Sequence, residues 1–423
     1  RRPPELSAAP AGLGTGEEPI EAGQSCPGHV RARWALVCSG CLAWGLMAGS
    51  AGRSDLPHMD VPARLGRLRE RLAESSLDAF LVTKLVNIRY LTTFSGSAGM
   101  LLVRADDAFF LSDGRYRDQA ANELGAAGIE AAIEIGRPAD QLEVLDRLLK
   151  GARRIALEAE GISWAQQRHL SNALSAVEAG SARLVATNDL VEDLRVTKDE
   201  GEMARIEAAA DIADIALAQV KERLTKDVTE LEFAQELDNE MRQRGADAVS
   251  FETIVASGPN GALPHARPSR RVVERGELVV VDFGAEVDGY HSDMTRTLCA
   301  GPPESSEMVE LLDAVLVAQR AGVRAVRPGV SGAEIDTACR DSLRDAGFGE
   351  AFIHGTGHGV GLEIHESPAI SAGSTDILRE GAVVTVEPGA YLNGVGGARI
   401  EDSLVVTASG ARALTRSTKD TIL

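Results

Sequence analysis

Two stretches of this chain end uninterrupted apolar runs on a single acid in the same way. Leu278-Val279-Val280-Val281 runs into Asp282, and 105 residues later Val383-Val384-Thr385-Val386 runs into Glu387. Short β-branched runs bounded by turn residues predict buried strands. A helical pattern precedes each strand and opens on the same signal, Thr229 with Glu232 in one half and Ser331 with Glu334 in the other, 102 residues on. That is capping-box spacing at a helix start, and the two patterns close at Gly245 and Gly347. A stripe of Ile206, Ala209, Ala213, Ala216 and Val220 predicts a further helix ahead of the first half. Each half therefore reads helix, helix, strand, strand, an α+β domain with an internal pseudo-twofold duplication.

Upstream the pattern changes. Residues 63–75 have helical periodicity, and 79–82, 100–104, 108–111, 154–158 and 184–185 are predicted strands, an alternation that suggests an α/β domain. The segment Leu194-Arg195-Val196-Thr197-Lys198-Asp199 marks the join, giving domains at 59–195 and 196–423. Residues 1–58 are different, being rich in Pro, Gly, Ala and Ser. Arg31-Ala32-Arg33 ahead of the apolar run 34–48 has the form of a signal peptide, and the run is too short to span a membrane comfortably. The segment reads equally as translated sequence upstream of a start at Met47 or Met59. Cys38-Ser39-Gly40-Cys41 lacks a βαβ context and is read as an accidental spacing.

The acids carry the chemistry. One acid behind one strand is ordinarily a strand terminus, and Pro388-Gly389 after Glu387 is a turn signal in its own right. Here, however, a second acid follows each strand, Asp293 and Glu401, so four acids recur in two halves. Carboxylates on buried strands cost several kcal/mol unless they are paired or bind metal. Folding the halves around a pseudo-twofold axis would gather them with His358, from the run His354-Gly355-Thr356-Gly357-His358-Gly359-Val360-Gly361. Carboxylates with one imidazole suit hard or borderline ions such as Mn²⁺, with Co²⁺ or Zn²⁺ as substitutes, and the lack of thiolates argues against a cysteine-built zinc site.

At 423 residues with 44% hydrophobic and 25% charged positions, the composition is that of a globular protein of two domains. The net charge of −19 argues against nucleic acid and anionic membrane surfaces as partners. Only Cys299 and Cys339 lie in the body of the chain, so no disulfide framework is implied and a reducing, cytoplasmic setting is expected.

These motifs resemble the creatinase or pita-bread metallopeptidases, in the Xaa-Pro aminopeptidase (aminopeptidase P) and Xaa-Pro dipeptidase (prolidase) branch. The carriers are Val281-Asp282-Phe283-Gly284, Ser292-Asp293-Met294-Thr295-Arg296-Thr297, the glycine-rich run, Val386-Glu387-Pro388-Gly389 and Arg399-Ile400-Glu401-Asp402. The resemblance covers about residues 62–423 and implies a creatinase-like N-terminal domain. It makes Asp282, Asp293, His358, Glu387 and Glu401 the ligands of two divalent ions, with Asp282 and Glu401 bridging, Asp293 completing one shell and His358 and Glu387 the other. Glu387 is the proton shuttle, His265, His354 and His365 contact substrate or support the site, and Tyr391 and Arg399 support it, Arg399 by orienting Glu401. His291 is expected to be structural. The implied substrates are proline-containing peptides, and the implied assembly is a homodimer or homotetramer. Phe94-Ser95-Gly96-Ser97-Ala98-Gly99 looks like aminopeptidase P, whereas Ala262-Leu263-Pro264-His265-Ala266 also occurs among prolidase-like members. A metal-free creatinase-like hydrolase or a catalytically silent binding module is the more distant reading.

Overall fold

The computed structural model describes residues 56–423; the signal-like run and the Cys38/Cys41 pair lie outside the described residues. The N-terminal region is a six-stranded mixed sheet. Ala79–Val82 lies at its centre, antiparallel to Met100–Arg104 and parallel to Arg154–Glu158, and Ala108–Ser112 and Arg183–Thr187 extend the two sides. Successive residues of a strand face opposite ways. Phe80 and Val82 accordingly pack with Leu65, Leu68 and Leu72 of helix Val61–Glu74, while Ala79 and Leu81 pack with Leu145, Leu149 and Leu170 on the other face. An edge strand, Ala132–Ile135, was not legible in the sequence. It is half exposed throughout, so its Ala-Ile-Glu-Ile pattern lacks the apolar continuity of its neighbours.

Helix Glu200–Val220 follows the join, capped by Asp199, and buries all five residues of the expected stripe. Helices Glu230–Gln243 and Gly332–Asp345 begin with the same reciprocal bonds. Thr229 N–H donates to Glu232 Oε2 at 3.0 Å and Glu232 N–H to Thr229 Oγ1 at 3.2 Å; the Ser331 and Glu334 pair repeats this at 2.9 and 3.2 Å. The central strands Leu278–Phe283 and Val383–Val386 are each preceded by a glycine in the left-handed region, Gly276 (φ 88°) and Gly381 (φ 81°). A side chain would be strained at both positions, so the duplication extends to backbone conformation.

Each central strand lies between two antiparallel neighbours. Leu278–Phe283 pairs with Ile254–Ser257 and Met294–Cys299, and Val383–Val386 pairs with Gly357–Gly359 and Asp402–Thr407. The halves meet where Glu401 N–H donates to Thr295 O at 3.1 Å and Ser403 Oγ donates to Asp293 O at 2.8 Å. Val279, Val281 and Phe283 pack against Phe233 and Leu237; Val384 and Val386 pack against Leu311, Val315 and Ile335. Asp282 and Glu387 are thus turned to the face opposite the helices. Ahead of Met59, Leu56 packs on the first-half core, and Pro57 O accepts from Arg205 Nη1 at 3.0 Å.

Candidate metal centre and cleft

The face opposite the helices carries all five proposed ligands, set on strands or strand ends of both halves. Ligand atoms of Asp293, His358 and Glu401 lie within 4.8 Å of one another. His358 Nε2 is 3.3 Å from Glu387 Oε1 and 3.6 Å from Asp293 Oδ2. Asp282 joins from the central strand beside Met294–Cys299, where it pairs with Thr295.

The glycine-rich run is explained by close approach. A β-carbon at Gly357 would collide with Thr385 O, and one at Gly359 with Ser367 O. The strand that presents His358 can therefore lie flush between its neighbours. His358 N–H donates to Thr385 Oγ1 at 3.1 Å, and Nδ1 donates to the Gly359 carbonyl at 3.0 Å. With the proton on Nδ1, Nε2 offers a lone pair to the same space into which the carboxylates point.

Electrostatics show what that space lacks. Burial pushes the Asp293 carboxyl well above its usual range, with Glu401, Asp282 and Glu387 adding repulsion; Glu401 is raised likewise by burial, Glu387 and Asp282. Burial also raises Asp282, against the pull of Arg399. Asp282 Oδ1 and Glu401 Oε1 are buried with no hydrogen-bond partner, which costs on the order of 1–3 kcal/mol per group if nothing binds them. Arg399 supplies one positive charge against four carboxylates. Orphaned oxygens, an imidazole lone pair and uncompensated negative charge form a donor set that fits hard or borderline divalent cations.

Arg399 acts differently from expectation. Its Nη2 donates to Asp282 Oδ2 at 2.6 Å, its Nη1 to Tyr391 OH at 2.8 Å and its Nε to Thr295 Oγ1 at 3.1 Å. Glu401 is oriented by Thr295, whose hydroxyl donates to Oε2 at 2.7 Å. The guanidinium sits at the end of a long side chain and reaches past its own strand to the acid of the opposite half. Tyr391 in turn stands 2.9 Å from His354 Nε2, and His354 Nδ1 donates to Gly355 O at 2.7 Å. Both ring nitrogens of His354 are therefore engaged, one with Tyr391, and the residue lines the cleft.

The centre floors a cleft of about 550 Å³ whose lining includes His265, His365, Phe251, Pro264 and Ile364. His365 is exposed on the cleft side and stacks edge-on against His358, ring centres 4.3 Å apart. His265 is exposed at the cleft wall. Burial, then the neighbouring His358, holds the His365 pKa below the ordinary imidazole value. His291 lies largely buried outside this lining.

Residues 204–408 match the model of metallopeptidase family M24, and residues 64–197 match the creatinase/prolidase N-terminal domain. An uncharacterized peptidase of Bacillus subtilis, YqhT, is 39% identical over 362 residues, 85% of this chain and 99% of the relative. The chain belongs to metallopeptidase family M24. Among solved structures of this family, the Xaa-Pro dipeptidase from Bacillus anthracis is 38% identical with a TM-score of 0.80, covering 85% of this chain and 99% of its own. The X-Pro aminopeptidase from Thermotoga maritima is 36% identical with a TM-score of 0.75, covering 84% and 99%. The fold is thus a creatinase-type N-terminal domain followed by a pita-bread catalytic domain, and the enzyme is a hydrolase.

In this M24 peptidase two threonines outside the expected site residues support the centre. Thr295 links Arg399 to Glu401, and Thr385 fixes the His358 backbone. The signal for Thr295 was available: it stands two residues after Asp293, on the same face of an extended chain. Thr385 offered none, because its role depends on the strand that lies beside it. Among the described residues no helix is long and apolar enough to cross a membrane, and Cys299 and Cys339 are buried free thiols.

Proposed function

We propose that the chain is a dinuclear-metal-dependent exopeptidase that hydrolyses the peptide bond between an N-terminal residue and proline. The observation that carries this reading is the cluster of three buried carboxylates, a partly exposed fourth and one imidazole at the base of an open cleft, with unpartnered oxygens on Asp282 and Glu401. Asp282, Asp293, His358, Glu387 and Glu401 would hold two ions, Mn²⁺ by preference. Such ions lower the pKa of a shared water and polarise the scissile carbonyl.

The chain's own groups do the rest. Burial pushes the Glu387 carboxyl up, but Arg399 and the protonated form of His358, which would give way to a neutral ligand once a cation is bound, outweigh it and hold Glu387 below the usual carboxylate range. It is thereby ionised at neutral pH, able to accept a proton from the nucleophile and pass it to the departing proline nitrogen. His265 and His365 face the cleft and would donate hydrogen bonds to the substrate carbonyl as charge develops there. Arg399, fixed by Asp282, Tyr391 and Thr295, keeps one carboxylate at a set angle while contributing positive charge.

The aminopeptidase reading, with substrate extending past proline, follows the Phe94-to-Gly99 motif. The dipeptidase reading is favoured by the name of the Bacillus anthracis relative. Kinetics of the Mn²⁺-loaded protein on Ala-Pro beside Ala-Pro-Ala decides between them: faster turnover of the tripeptide supports the first. Equal cleavage of Ala-Ala and Ala-Pro would overturn proline specificity altogether. A cytoplasmic location and a homodimeric or homotetrameric assembly complete the proposal.

A further inference from the structure

The segment 361–366 has two sides. One presents Ile364 and His365 to the cleft. The other is tied to residues from outside the catalytic half. Glu366 is buried, its Oε2 paired with Arg195 and its Oε1 accepting from Lys198 Nζ at 2.8 Å. Arg195 also pairs with Glu363 at 2.9 Å and donates to Asn87 Oδ1 at 2.9 Å, and Lys84 Nζ donates to Glu363 Oε2 at 2.8 Å. Asn87 and Lys84 belong to the N-terminal domain; Arg195 and Lys198 belong to the segment that joins it to the catalytic domain.

This is more than the join requires. Arg195 and Lys198 are both almost fully buried, and desolvating such charges is costly unless geometry and pairing are good. Burial alone would raise the Glu366 carboxyl, yet Lys198 and Arg195 hold it below the usual range. The seat is closely shaped, since a β-carbon at Gly361 would strike the Glu366 carboxylate. Residues 361–365 form a bend that ends where strand Glu366–Ile370 begins. Fixing the Glu366 side chain in the domain junction pins the backbone from which His365, one residue earlier, projects against His358.

We propose that Arg195 and Lys198 are positioning residues of the reaction: by clamping Glu366 from the domain junction they hold His365 at the angle from which it contacts substrate. The N-terminal domain, through Asn87 and Lys84, sets one wall of the cleft of its own chain. This rests on the reading of His365 as a substrate-contacting group.

The test is a double-mutant cycle in the full, Mn²⁺-loaded chain, with kcat/KM on Ala-Pro and Ala-Pro-Ala, bound metal and thermal midpoint measured on each variant. Lys198→Met should lower kcat/KM by about tenfold, the scale of losing an outer hydrogen-bond partner, with bound metal unchanged and with most of the rate restored in Lys198→Arg. In a His365→Ala background the same Lys198→Met change should cost about twofold or less, because coupled residues are non-additive. An equal penalty in both backgrounds overturns the proposal while leaving the role of His365 intact. A His365→Ala protein with full activity overturns both. If Lys198→Met does not fold, Glu363→Gln, at a part-exposed carboxylate of the same network, takes its place in the cycle with the same two outcomes.

Discussion

Asp282 and Glu401 show how little of a residue's role is contained in its strand position. Asp282 and Glu387 end equivalent strands, yet one is bonded to Arg399 and the other lies 3.3 Å from His358 Nε2. If Asp282 and Glu401 bridge the ions, Glu401→Ala should disturb both metals and Asp293→Ala mainly one. Elemental analysis should then find less metal per chain in the first variant, with turnover essentially lost; two full sites in Glu401→Ala would require the acids to be reread. His365→Ala should keep its metals and lose about 10²–10³ in rate, the usual cost of one transition-state donor. Empty sites in that variant would move His365 among the ligands.

At the level of elements, the duplication was readable because helix caps and strand starts are local. Thr229 and Ser331 precede their glutamates by three residues in both halves, and the bonds they make are nearly identical in length. Thr229→Ala and Ser331→Ala should therefore each destabilise by about 1 kcal/mol, lowering the thermal midpoint by similar amounts without altering bound metal. A much larger loss from one of them would mean that its helix start carries more than a cap. The glycine-rich strand behaves in the opposite way. Gly357→Ala forces a β-carbon into Thr385 O, and the strand carrying His358 must then shift. Loss of metal affinity in a protein that still folds is the expected outcome.

For the whole molecule, the residues just ahead of Met59 already belong to the packed fold. Removing residues 1–55 should leave folding, metal content and turnover intact, whereas a cut after residue 58 also removes the Leu56 packing and the Pro57 to Arg205 bond and should lower the thermal midpoint. Soluble expression lost on removing 1–55 alone would contradict this. A second whole-molecule effect is pH dependence. Burial lowers the His291 pKa from 6.5 to about 4, so the unfolded chain takes up a proton that the folded one refuses. The stability associated with neutral His291 is fully present above pH 6.5 and declines as pH falls toward 4, by about 3 kcal/mol at most. Denaturant midpoints at pH 7.5 and 5 should differ less in His291→Gln than in the parent.

Period, caps and apolar runs were sufficient for the two halves and most of the N-terminal sheet, because each is specified by neighbours within a few residues; the proposed ligand set came from the family motifs. The edge strand Ala132–Ile135 escaped notice because its apolar signal is diluted by exposure. Arg399 was matched to Glu401, which it reaches through Thr295, and not to Asp282, which it bonds directly, because the target of a long side chain depends on which strand lies beside it. Thr385 and the Arg195, Lys198 and Glu366 clamp were invisible for the same reason, joining positions up to 171 residues apart. Local sequence determined which elements form and which face of each carries charge. Only the packing of strand on strand and domain on domain decided which charges meet, since those contacts are selected by burial and electrostatic compensation across the fold.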